Sequence, residues 1–196
     1  MGGHPVAQTR PRESRGAVKR TSFSQWPCSI ARTVDLLGDW WTPLVLREAF
    51  HGVRRFDGFE RGLGIGRNVL TQRLTRLVEE DVMVRTLYRE RPARYEYTLT
   101  DKGRDLFGVL LVINAWGDRW VAPDGAPVLL HHTTCDHDTR ATVVCDHCRQ
   151  PLEPRDIHAR LGPGYPAALR PGALATGRFS DAGGAGHELG RPPRTT

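Results

Sequence analysis

Two groups of residues in this 196-residue chain have types and spacings that could do chemistry. The first is His132-Thr133-Thr134-Cys135, nine intervening residues, then Cys145-Asp146-His147-Cys148. Two ligand pairs separated by a hairpin-length spacer can set one imidazole and three thiolates tetrahedrally around a structural zinc ion. The C-x2-C half is the stronger signal. His131, His137 and His147 compete with His132 for the fourth position, and Arg149-Gln150 follow Cys148 where a tight knuckle usually carries glycine. Unligated thiols and a Cys145–Cys148 redox couple stand as alternatives to zinc.

The second group is Arg67, Asn68, Thr71 and Gln72, with Arg76 one turn further on. Asn and Gln amides match adenine edges, Arg matches guanine or phosphate, and a Thr methyl suits thymine. A further set of arginines (85, 89, 91 and 94) is opposed only by Glu90 over the same stretch. No Ser/His/Asp set, phosphate loop or pair of carboxylates with catalytic spacing appears, so no enzymatic activity is expected.

These residues need elements to position them. Apolar residues recur at helical spacing from Cys28 to Leu37 and stop at Gly38. Asp39 is placed to cap a second helix, with Pro43 in its first turn where the missing N–H costs little. A third helix is expected from Phe56 to Gly62, and Gly62, Gly64 and Gly66 then break the chain. The fourth, Arg67 to Glu80, puts Leu70, Leu74 and Leu77 within about 60° of one another and the hydrogen-bonding side chains opposite. Two Val-, Thr- and Tyr-rich runs, Met83 to Tyr88 and Tyr95 to Leu99, read as a hairpin. Thr100 then caps a long apolar helix ending near Trp120. The fold class expected is mainly α with a small β-hairpin wing, a winged helix-turn-helix, followed by a small C-terminal zinc-ribbon-like segment in which residues 140–144 lead as a strand into the second knuckle.

Charge sets the surroundings without deciding them. The chain has 28 Lys+Arg against 22 Asp+Glu, and only Lys19 and Lys102 are lysine. Arginine suits phosphate and guanine, but a composition rich in Arg, Ala, Gly and Pro accounts for the ratio equally well. Residues 1–24 read as a disordered basic arm, 25–125 as the winged domain, 126–158 as the metal-binding satellite and 159–196 as a disordered tail. No run of 18 apolar residues and no secretory h-region is present, so a cytoplasmic, nucleoid-associated protein is expected.

The helix Arg67 to Glu80 fits a major groove if neighbouring helices hold its apolar stripe, and its N-terminus attracts phosphate. An arginine-rich hairpin tip (Arg89, Arg91, Arg94) can enter a minor groove or grip the backbone. The string from Cys28 to Arg85 includes Gly38-Asp39-Trp40-Trp41-Thr42, Arg47-Glu48, Arg55-Phe56 and Asn68-Val69-Leu70-Thr71-Gln72-Arg73-Leu74. With Tyr97-Thr98-Leu99-Thr100 and Gly103, it resembles the HxlR-type family of bacterial winged-helix regulators. The family usually has Ser where this chain has Gly66, a slightly poorer N-cap. The resemblance implies homodimers packed through the first and last helices, binding palindromic operators on double-stranded DNA. It also places Cys28 where some members carry a redox-sensing cysteine; a thiol at a helix start forms thiolate more readily, and an inert residue is the alternative. The rival reading is a zinc-ribbon interaction module whose winged helix is structural or binds protein. No effector is legible.

Overall fold

The computed structural model describes residues 22–180; most of the 1–24 arm and residues 181–196 of the expected tail lie outside them. The first helix, α1 (Ser29–Leu37), begins after Cys28 in extended conformation. Asp39 shapes the turn that follows: its carboxylate accepts from the N–H of Trp41 (2.8 Å) and Thr42 (3.0 Å) and from the Thr42 hydroxyl (2.5 Å). Helix α2 (Thr42–Phe50) therefore starts later than Asp39, with Pro43 in its first turn.

The next two helices form the helix-turn-helix. Helix α3 (Phe56–Leu63) stops at Gly64, whose φ of 61° lies in the left-handed region and whose N–H bonds Glu60 O at 3.0 Å. Two residues later Gly66 opens α4 (Arg67–Glu79) without a side-chain cap. Val45 and Leu46 of α2, Phe59 of α3, Ile65 of the turn, and Leu70, Leu74 and Leu77 of α4 close one core with Val82 and Met83. Each such side chain contributes roughly 1.5–3 kcal/mol by leaving water, and together they fix how α4 is presented.

Strands β1 (Met83–Arg89) and β2 (Arg94–Leu99) pair antiparallel from Met83 opposite Leu99 to Leu87 opposite Tyr95, with the register shifting between Leu87 and Arg89. The backbone before α3 edges this wing, through Tyr97 N–H to Arg54 O (2.7 Å) and an Arg55–Glu96 bridge. Helix α5 (Asp101–Trp120) is capped by the Thr100 hydroxyl, which accepts from Gly103 N–H at 3.0 Å. A Cβ at residue 103 would collide with the Val82 carbonyl, so only glycine lets α5 approach the wing root this closely.

Past α5 the chain is organised differently. Strands β3 (Leu130–His132) and β4 (His137–Thr139) form a three-pair hairpin. Residues 140–143 do not form the expected strand; only Val144 bridges, to Pro151, across the second turn. Residues 159–180, expected to be unstructured, include α6 (Arg170–Ala175) and an Arg160–Ser180 bridge, with Leu161 and Ala173 buried. Apolar residues at 161, 165, 173 and 179 supply this small cluster, with Tyr165 and Phe179 rings 6.3 Å apart.

Candidate nucleic-acid interface and thiol cluster

The first turns of α4 carry Arg67, Asn68, Thr71 and Gln72, all exposed, while Leu70 and Leu74 on the other side are buried. Thr71 is tied to its own helix by a hydroxyl bond to Arg67 O (2.8 Å). Arg67 pairs with Glu60 of α3 at 2.9 Å and lies over the Phe56 ring, which fixes its guanidinium beside the helix start. Asn68 and Gln72 have no hydrogen-bond partner among the described residues and sit one turn apart. Their amides are therefore free to meet an outside donor–acceptor pattern.

The expected set is not all on this surface. The Arg76 guanidinium donates to Asp35 O of α1 at 2.9 Å and lies 3.7 Å from the Asp35 carboxylate and 3.9 Å from that of Glu80. Arg73 behaves alike, reaching the Asp39 carboxylate at 3.1 Å. A helical wheel assigns Arg76 to the polar face, but it does not show that α1 lies within reach of that residue. Both arginines tie α4 to α1 and to the α1–α2 turn.

The wing tip is exposed throughout. Arg89 Nε donates to Arg91 O (3.1 Å), and Arg91 and Arg94 extend from the same turn. An open cleft of about 470 Å³ between wing and helix start is lined by Phe56, Arg67, Tyr88, Arg94 and Tyr95. Arg55, absent from the sequence-derived set, stands beside it. Its guanidinium bonds Glu96 (2.9 Å) and covers the Tyr88 ring at 4.5 Å; the Glu96 bond, then the Tyr88 hydroxyl, raise its pKa above the usual arginine range. The Arg54-Arg55 doublet just before α3 was the available signal, since residues preceding a helix start approach the same groove rim.

The cysteines occupy two places. Cys28 is exposed at the N-cap of α1. In the satellite, His132 Nδ1 lies 3.1 Å from Cys135 Sγ, and the Cys135 N–H bonds His132 O at 3.2 Å. The second turn is closed by Cys145 N–H to Gln150 O (2.8 Å) and Arg149 N–H to Cys145 O (3.0 Å). Backbone N–H groups of Cys148 and His147, then the Cys148 thiol, hydrogen-bond the Cys145 sulfur and hold its pKa below the ordinary thiol value. Among the described residues no three His, Cys, Asp or Glu side chains converge as a metal would require. The structure thus brings together each pair, His132 with Cys135 and Cys145 with Cys148, but not the four.

Comparison with known proteins follows the same division. The HxlR-like helix-turn-helix family pattern matches residues 36–125. An uncharacterized HTH-type transcriptional regulator of Mycobacterium tuberculosis is 43% identical over 142 residues, 72% of this chain and 90% of the relative. Such a match is too long to fit before residue 125, so the likeness runs on into the satellite. Two solved structures described as candidate transcription factors are also similar. One has a TM-score of 0.63 at 40% identity, covering 71% of this chain and 98% of its own. The other, from Pseudomonas aeruginosa, has a TM-score of 0.54 at 36% identity, covering 74% and 99%. The winged helix-turn-helix built by α2–α5 and the β1–β2 hairpin therefore has a family: the chain belongs to the HxlR-like helix-turn-helix transcriptional regulators.

Proposed function

We propose that this regulator acts as a homodimer on palindromic operators, placing α4 in a major groove and the β1–β2 tip against the neighbouring backbone or minor groove. The observation that carries this reading is the pair of unpartnered amides, Asn68 and Gln72, at the exposed start of a helix whose other face is locked into the core. Arg67 and Thr71 flank them, and Arg89, Arg91 and Arg94 supply phosphate contacts from the wing. Arg76 supports the site from within, through Asp35.

Dimerisation rests on α5. Val109, Val112, Ile113, Trp116 and Trp120 fall within an arc of about 100°, and all are exposed, Trp116 at 60% and Trp120 at 62%. Ile30 (75%) and Val34 of α1 are exposed as well. A continuous apolar stripe of this kind marks an association surface, and a second copy fits a palindromic target, since two-fold symmetry in the protein mirrors that of the site. Two α4 helices would then meet successive major grooves about 34–36 Å apart. Any redox or ligand input would act through this seam, next to which Cys28 opens α1.

The test is quantitative footprinting on an operator selected from random DNA. Gln72→Ala should weaken specific binding more than non-specific binding. Arg91→Ala should weaken both and lower the salt slope by about one. Unchanged operator affinity in both variants would refute the assignment of helix and wing.

A further inference from the structure

We propose that the cleft between α2, β2 and α5 binds a small aromatic carboxylate, its ring against Phe50 and Phe107 and its carboxylate on Arg54.

The cleft follows from how the chain leaves α2. Backbone bonds from His51 N–H to Arg47 O, Gly52 N–H to Ala49 O and Val53 N–H to Glu48 O, each 3.0 Å, close a tight turn. Tyr97 N–H then pins Arg54 O to the wing at 2.7 Å. Helix α5 supplies the remaining wall through Arg104 and Phe107. The space enclosed is about 560 Å³, within the range of about 300–1,000 Å³ that small-molecule sites occupy.

Val53, Leu99 and the rings of Phe50 and Phe107 make the lining apolar, with the two ring centroids 5.0 Å apart and tilted by 49°. Phe107 is nevertheless 47% exposed, and the seam proposed above does not cover it. Val109, Val112, Ile113, Trp116 and Trp120 all lie at least about 120° from it around α5. An apolar ring left open in a concave site suits a flat apolar ligand.

Charge selects among such ligands. The lining holds two arginines and no carboxylate. Arg104 is engaged, by Leu99 O at 2.7 Å and by the Asp101 carboxylate. The exposed Arg54 guanidinium makes no hydrogen bond or ion pair among the described residues. Its planar fork matches a carboxylate with two parallel bonds, so an aromatic acid fits where a neutral arene leaves the cation unused. Regulation by this site rests on the dimer proposed above, because α5 bears the cleft on one side and the seam on the other; ligand binding itself does not.

Calorimetric titration of the full chain with naphthoate, without DNA, tests the site. Saturable binding is expected, with naphthyl methanol, the neutral counterpart, at least about tenfold weaker. Arg54→Gln should weaken naphthoate about tenfold and leave naphthyl methanol unchanged. Phe107→Ala should weaken both ligands about fivefold, and Trp116→Glu should bind naphthoate like the parent. Arg54 and Phe107 are exposed, and cooperative thermal unfolding of each variant checks that it folds. Absence of saturable binding, or parental affinity for naphthoate in both Arg54→Gln and Phe107→Ala, would overturn the proposal. So would loss of binding in Trp116→Glu, which would put the ligand in the seam. Binding that disappears as the chain self-associates would show a second copy filling the cleft, and would overturn it as well.

Discussion

The winged region and the satellite are built on opposite terms. Between α2 and β1, nine apolar side chains are withdrawn from water into one cluster, and polar groups at the surface merely orient it. Between residues 126 and 158 no side chain is fully buried, and turns and a three-pair hairpin are what hold the segment. The first region tolerates varied surface residues because its shape is fixed from inside. In the second, turns and a short hairpin hold exposed polar residues, so substitution there acts on local hydrogen bonds rather than on packing.

The contrast is broken or sharpened most directly by truncating one leucine in each region. Leu74→Ala, in the fully packed core, should cost about 2–5 kcal/mol in urea unfolding, whereas Leu129→Ala, exposed in the satellite, should stay within about 0.5 kcal/mol. A comparable loss in both would mean that the satellite shares the core. Trp116→Glu comes next: it should weaken self-association by about 2–4 kcal/mol in sedimentation equilibrium while leaving the unfolding of the subunit cooperative. On DNA, Gln72→Ala should cost about 1–3 kcal/mol against the operator, by titration at fixed salt. The smallest effect in the winged region is expected for Arg76→Ala. Loss of its bond to Asp35 should lower stability by about 1 kcal/mol, and the salt slope of DNA binding should not change. A reduced slope would instead make Arg76 a phosphate contact.

Much of the winged region was legible because period and punctuation agree there. The 3.6-residue spacing of Leu70, Leu74 and Leu77, the glycines around residue 64, and Thr100 before Asp101 each point to the element found. What a wheel projection omits is the neighbour. Arg76 reads as a surface residue until α1 is brought beside it by packing, across a long sequence separation. Gly103 is similar: nothing local demands glycine in the first turn of α5, and the reason is the Val82 carbonyl. In the satellite the failure has another cause. A hairpin of three residue pairs leaves no periodicity to read, so the strand expected over residues 140–144 had only β-branched composition behind it. The Cys and His spacings, which are chemical rather than periodic, remained visible.

The bonds from Arg76 to Asp35 and from Arg73 to Asp39 have a mechanical consequence. They tie α4 to α1 and to the turn that follows it, so rotation of one helix is resisted by the other. In the proposed dimer such a coupling would work like a pair of callipers. A few degrees of rotation at its seam would become a change in the gap between the two α4 helices, and an operator of fixed half-site spacing would measure that gap. In that arrangement an input at the seam would need no path to the DNA surface; altering the angle of the hinge would be sufficient to release the grip.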